Sequence, residues 1–135
     1  DLSQVFIVHG HDDLLKNEVA RFIEKLNLEA IILHEKASSG KTIIEKIEEH
    51  SNVGFGIVLY TGCDVGAKNE ENLTLQNRAR QNVVFEHGFL IGKIGRPNVC
   101  ALVKGIIEKP NDISGVVYIS TDSEWRLALS KRAEK

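Results

Sequence analysis

The chain has 135 residues, 42% hydrophobic and 27% charged, which suits one globular domain with a single sizeable core. A net charge of −2 and a pI near 6.2 leave no electrostatic footprint for DNA, RNA or an anionic membrane, so neither is expected as a partner. Cys63 and Cys100 show neither metal-type spacing nor a disulfide framework, which points to free thiols acting as small core hydrophobes in a reducing, cytoplasmic setting.

No apolar run approaches the roughly 18 residues that span a bilayer, and no secretory leader is read ahead of Val5. A chain that starts at Asp1 and holds no methionine is expected to be a segment of a longer protein.

In chain order, Val5-Phe6-Ile7-Val8 is a short run of β-branched and aromatic residues, predicting a buried strand. Asp12 or Asp13 can cap a following helix whose Leu14, Leu15, Val19, Phe22, Ile23 and Leu26 recur at helical spacing. Glu29 to Leu33 predicts the second strand, and Ser38-Ser39-Gly40 breaks the chain. Thr42 to His50 predicts a helix with Ile43, Ile44 and Ile47 inward. Gly54 to Tyr60 is a third strand, apolar on both faces. Thr61 to about Gln76 is polar and aperiodic, the longest irregular stretch, and such loops tend to be functional or mobile. A helix is expected from about Arg78 to Ile94, stopped by Gly95 and Pro97. Val99 to Val103 and Val116 to Ile119 predict two more strands, and Ser123 to Ala133 a closing helix.

Strands alternating with helices imply parallel pairing and a sheet covered on both faces, here five strands in the flavodoxin-like order 2-1-3-4-5. Ligands bind such sheets beyond the carboxyl ends of the strands, where the order reverses between the first and third. That rule selects the segments His9 to Asp13 and Tyr60 to Arg80.

Within the first segment, Gly10 permits close backbone approach, and the amides that open the helix offer a mild anion site. The alternative is a plain turn with a helix cap. Asp12 and Asp13 disfavour a phosphate in direct contact, so a ribose hydroxyl is the better partner. Ser38-Ser39-Gly40-Lys41-Thr42 resembles the end of a P-loop, but the first glycine of that pattern would fall at Glu35 and the segment follows the second strand rather than the first, which argues against Walker-type hydrolysis. Lys41 and the helix-start amides can still meet a pyrophosphate, or simply form a capped loop.

Glu86 has Val83, Phe89 and Leu90 at helical neighbour positions, which sets it at the edge of an apolar stripe. An acid there is costly unless it is paired or faces a cleft. It therefore reads either as a structural carboxylate satisfied by Arg80 or a backbone amide, or as a catalytic one. Gly88 and Gly92 on the same helix allow another segment to pack closely. His87 lies about 100° around the helix from Glu86, so the two need not share a pocket. No histidine has metal-site spacing, so no metal is expected, and Trp125 reads as a packing residue. A phosphoacceptor receiver of the same fold would end its third strand on Asp, where Leu59-Tyr60-Thr61 stands.

Val5 to Asp12, Thr42 to Lys46, Asp112 to Val116 and Trp125 to Ala128 resemble the TIR-like domain of bacterial anti-phage effectors. The segment Arg78 to Phe89, above all Asn82-Val83-Val84-Phe85-Glu86-His87-Gly88-Phe89, is the most specific part of that resemblance. In that family the domain is fused to a sensor of cyclic nucleotides, a STING module or another second-messenger receptor. The resemblance implies one TIR domain over 1–135, with a sensor C-terminal to it. It also implies NAD⁺ glycohydrolase activity, with NAD⁺ as substrate and no further cofactor, triggered by TIR–TIR self-association. The family's catalytic glutamate falls on Glu86, and its assembly loop on Glu35 to Lys41. His9, Gly10, Asp12, Ser39, Gly40, Lys41, Tyr60, Asp64, Arg80 and Asn82 are the expected NAD⁺-facing residues. The family often carries an apolar residue where this chain has His87. The competing expectation is a non-catalytic module that acts only through TIR–TIR contacts.

Overall fold

Five of the apolar segments assemble into one sheet in the computed structural model of the chain, which describes residues 3–33, 43–49, 53–110 and 115–133. The elements run β1 (Gln4–Val8), α1 (Asp13–Lys25), β2 (Glu29–Leu33), α2 (Ile43–Glu49) and β3 (Val53–Tyr60). They continue with β4 (Asp64–Gly66), β5 (Gln76–Arg78), α3 (Gln81–Ile94), β6 (Val99–Val103), β7 (Val117–Ser120) and α4 (Trp125–Ala133), with a 3₁₀ turn at Arg96–Asn98. The sheet order is β2-β1-β3-β6-β7, and every neighbouring pair is parallel. With only the sheet strands counted, this is the expected 2-1-3-4-5 order of a TIR-type, flavodoxin-like fold.

Alternate side chains of each strand feed two separate cores, because successive Cβ atoms point to opposite faces. Val5, Ile7, Phe55, Ile57, Leu59, Cys100 and Leu102 meet Leu15, Val19 and Ile23 of α1 and Trp125 and Leu129 of α4. Phe6, Val8, Val58, Tyr60, Val99, Ala101 and Val103 meet Ile47 of α2 and Val83 and Leu90 of α3. Trp125 packs perpendicular to Phe22, with ring centroids 5.8 Å apart, as a packing residue would. Asp12 rather than Asp13 caps α1, its carboxylate accepting from the Leu15 amide at 3.0 Å. Gly95, at φ +90°, ends α3.

Three expectations are corrected. The stretch Thr61 to Gln76 is not wholly irregular: β4 and β5 pair antiparallel, Asp64 opposite Arg78 and Gly66 opposite Gln76. Strands of three mainly polar residues carry too little periodicity to be read from sequence. The Arg78 side chain binds Glu108, and the Glu108 amide donates to the Asn77 carbonyl at 2.8 Å, so α3 starts at Gln81 rather than Arg78. Finally, nothing approaches within 4 Å of where a side chain would start at Gly88 or Gly92, so the close packing expected there is not made among the described residues.

The close approach of α3 to the sheet occurs instead at Gly56 of β3, where a Cβ would lie 3.1 Å from Leu90 Cδ1. Leu90 itself is fully buried. Leu90→Ala is expected to cost about 2–5 kcal/mol by leaving a cavity. Gly56→Val is expected to cost about 1–3 kcal/mol by overpacking. Urea unfolding of the double variant should show less than the sum of the two losses, since the shortened residue makes room for the added one.

Candidate active site

Parallel pairing of β1 with β3 brings the two loops that leave their carboxyl ends side by side. Gly10 sits so close to the second loop that a Cβ would lie 2.6 Å from Cys63 Sγ and 3.8 Å from both Thr61 Oγ1 and Arg80 Cδ. The His11 amide donates to Cys63 Sγ at 3.3 Å, and Thr61 Oγ1 lies 3.2 Å from the same sulfur. Arg80, immediately before α3, donates through Nη1 to His11 Nε2 at 2.6 Å, which leaves the ring proton of His11 on Nδ1. The place where the strand order reverses is thus a knot of polar contacts tying β1, β3 and the start of α3 together.

A hollow of about 530 Å³ opens beside it, lined by His11, Asp12, Thr61, Gly62, Cys63, Asn77 and Lys104 to Ile107. Across it Lys104 Nζ binds Asp12 Oδ2 at 2.6 Å. The Leu15 amide first, and then the Lys104 ammonium, hold the Asp12 carboxyl below its usual range; the same contact raises Lys104. Asp12 therefore serves both as helix cap and as ion-pair partner at the rim.

The expected site residues separate into groups. Gly10, Asp12 and Arg80 take part in the convergence just described. His9 is buried, its Nδ1 donating to the Gly10 carbonyl at 2.8 Å. Asp64 and Asn82 are exposed, the first on β4 and the second in the first turn of α3, and neither lines the hollow. Tyr60 is fully buried at the tip of β3. Ser39, Gly40 and Lys41, with the rest of Glu35 to Lys41, lie outside the described residues. Thr61, Cys63 and Asn77 lie within the expected segment Tyr60 to Arg80 without being singled out there, and Lys104 falls outside both expected segments. A thiol taken from sequence for a core hydrophobe sits here among hydrogen-bonding groups, whereas Cys100 is buried as expected, its thiol pushed up to about 12 by desolvation.

Glu86 does not line this hollow. It is 3% exposed, on the same inward stripe of α3 as Val83, His87 and Leu90, while Phe85 stands 57% exposed. By helical phase Glu86 and His87 bound this stripe on either side of Leu90 and Val83, so the acid lies at its edge and is buried there, and His87 is buried at the opposite edge. His87 Nδ1 lies 2.7 Å from the Tyr60 hydroxyl. Its ring packs nearly perpendicular to those of Tyr60, at 5.4 Å, and Tyr118, at 6.2 Å. Burial lowers the His87 pKa to about 4 and raises that of Tyr60 beyond its usual range. The pair is neutral at physiological pH.

Two outcomes are expected. In the unfolded chain His87 takes its proton near pH 6.5, in the fold only near 4, so acidification across that window favours unfolding. The loss should approach roughly 3 kcal/mol and be complete below about pH 4. His87→Gln, which keeps a hydrogen-bonding group but does not titrate there, should flatten that part of a pH series of urea unfolding curves; Asp12 contributes only at more acid pH. Separately, Gly10→Ala should cost about 1–3 kcal/mol through its clash with Cys63 Sγ. Adding Cys63→Ala should restore most of that loss in the same unfolding measurement.

Comparison with known proteins agrees with this architecture. The uncharacterized protein YuaY of Escherichia coli (strain K12) is 46% identical over 129 residues, covering 93% of this chain and 43% of that protein. Protein tirC of Dictyostelium discoideum is 42% identical over 127 residues, covering 87% of this chain and 63% of that protein. The chain thus spans about half the length of these curated relatives. The family model described as "CAP12/Pycsar effector protein, TIR domain" matches residues 4–123, which takes in the strand tips, the hairpin and all of α3. The chain belongs to the TIR-domain family of CAP12/Pycsar effector proteins.

Proposed function

We propose that this domain is an NAD⁺ glycohydrolase of anti-phage defence, releasing nicotinamide and ADP-ribose, with Glu86 as its catalytic carboxylate. The observation that carries the reading is the phase of α3. The helix buries its acid and leaves the phenylalanine one step before it in solvent, with Glu86 3% exposed and Phe85 57% exposed. Desolvating a carboxylate is costly, and a fold retains it where the charge has a use. The helix that bears it follows β3, one of the two strands that flank the reversal of strand order.

The chemistry suits a single acid. As the bond between nicotinamide and ribose breaks, positive charge develops on the sugar, as in glycoside hydrolysis. Nicotinamide is already cationic when bound to ribose and departs as a neutral molecule, taking the bonding electrons without a general acid. A carboxylate held away from water stabilises the developing charge, orients the ribose hydroxyls, or bonds transiently to the sugar before water completes the hydrolysis. The Arg80–His11 pair and the Asp12–Lys104 rim offer donors and acceptors for the remainder of a dinucleotide. Tyr60, buried against His87, acts through the protein rather than on the ligand.

Self-association is the proposed trigger, brought about by a cyclic-nucleotide sensor in a longer protein. The length of the relatives leaves room for a further domain. The outward side of α3 supports contact between copies: Phe85 and Val84 are exposed there, and Phe85 lies beside Phe89 with centroids 6.4 Å apart. No helix among the described residues is long and apolar enough to cross a membrane.

Concentrated or artificially clustered protein incubated with NAD⁺ is expected to release nicotinamide, followed by chromatography. Glu86→Gln should lower the rate by about 100-fold or more while cooperative unfolding is kept. A clustered, folded native chain that leaves NAD⁺ intact would favour the non-catalytic TIR scaffold.

A further inference from the structure

The buried stripe of α3 carries a second polar residue, and its placement is not explained by packing. His87 is 3% exposed, and its Nε2 has no hydrogen-bond partner among the described residues. A leucine would fill the same stripe without an unpartnered nitrogen. Removing both members of a buried hydrogen bond is often neutral or stabilising, so the Tyr60–His87 pair is a poor device for stability alone. Direction is what it adds. Contacts among Val83, Leu90 and the sheet are non-directional and tolerate sliding. A 2.7 Å bond between His87 Nδ1 and the Tyr60 hydroxyl, within a cluster in which the rings of Tyr60 and Tyr118 both stand nearly perpendicular to the imidazole, does not.

Tyr60 is itself well anchored. It ends β3 opposite Val103, and its carbonyl accepts from the Lys104 amide at 3.0 Å. The next residues, Thr61 to Cys63, line the hollow at the strand tips. Glu86 precedes His87 by one helical step, about 100° and 1.5 Å, so fixing one fixes the other.

We propose that the His87–Tyr60 hydrogen bond is a positioning device that sets the rotation of α3 against the tip of β3, and with it the place of the Glu86 carboxylate relative to the Thr61–Cys63 loop. This rests on the hydrolase reading in so far as the carboxylate is catalytic. His87 is a positioning residue: it acts through Glu86 and need not touch NAD⁺. Because displacements near 1 Å at a reacting centre cost about 100-fold in rate, loosening the helix should be felt in turnover before it is felt in stability.

The test removes both partners at once. Tyr60→Phe combined with His87→Leu is expected to unfold at or above the native temperature, yet to lower kcat for nicotinamide release by about 10- to 100-fold, with KM changed less than about threefold. His87→Gln, which can keep the bond, should retain most of kcat. A second readout does not depend on activity: the carbon-13 resonance of the Glu86 carboxyl, assigned by its loss in Glu86→Gln. It should move or broaden in the double variant and stay near native in His87→Gln. If the double variant does not fold, Tyr60→Phe alone serves in both measurements. A folded variant without the bond that turns over at the native rate, or whose Glu86 resonance is unmoved, overturns the proposal. If the clustered native chain releases no nicotinamide, the hydrolase reading fails and the carboxyl resonance alone decides the positioning role.

Discussion

Two adjacent polar side chains, Glu86 and His87, are turned into the core on a helix that leaves the preceding residue, Phe85, in solvent. That placement depends on how α3 seats on the sheet. To hold the acid there, α3 has to lie close on the sheet, and Gly56 gives it that room beside Leu90. To hold the imidazole there, β3 has to end in a residue that is apolar in bulk and polar at its tip, and Tyr60 is that residue. The neutral pair and its ring contacts supply an orientation that apolar packing around them would not.

The strand tips show the same economy of parts. Asp12 caps α1 and binds Lys104; Arg80 precedes α3 and binds His11; Cys63 receives both an amide and a hydroxyl. The contacts of Cys63 with His11, Arg80 with His11 and Lys104 with Asp12 join segments 52, 69 and 92 residues apart in sequence, so the loops are positioned by the rigid sheet beneath them rather than by their own composition. A site built in this way is preorganised where it meets the sheet. The same wiring extends to the small hairpin of β4 and β5, which is fastened through Arg78 to Glu108 on the loop after β6.

Where local preference and tertiary placement disagree, the disagreement is informative. Natural sequences are consistent across levels except where function demands otherwise. The buried acid, the buried imidazole and the exposed Phe85 are three such departures within three consecutive residues, and they fall in the segment most specific to the family resemblance. Cys63 is a fourth, a thiol placed among polar groups instead of in a core.

The sequence by itself determined the five strands, their parallel order and the helices between them, because β-branched apolar runs and 3.6-residue periodicity are strong local signals. It also located the loops after β1 and β3 as the place for a ligand, since that follows from strand order alone. Only the tertiary structure decided the phase of α3, the three-residue strands of the hairpin, and the partners of Asp12, Arg80 and Cys63. The physical reason is common to all of these. The side-chain pairs Tyr60–His87 and Lys104–Asp12 depend on contacts across 27 and 92 positions of chain, and the two polar strands are too short to carry a period, so no window of local periodicity contains them.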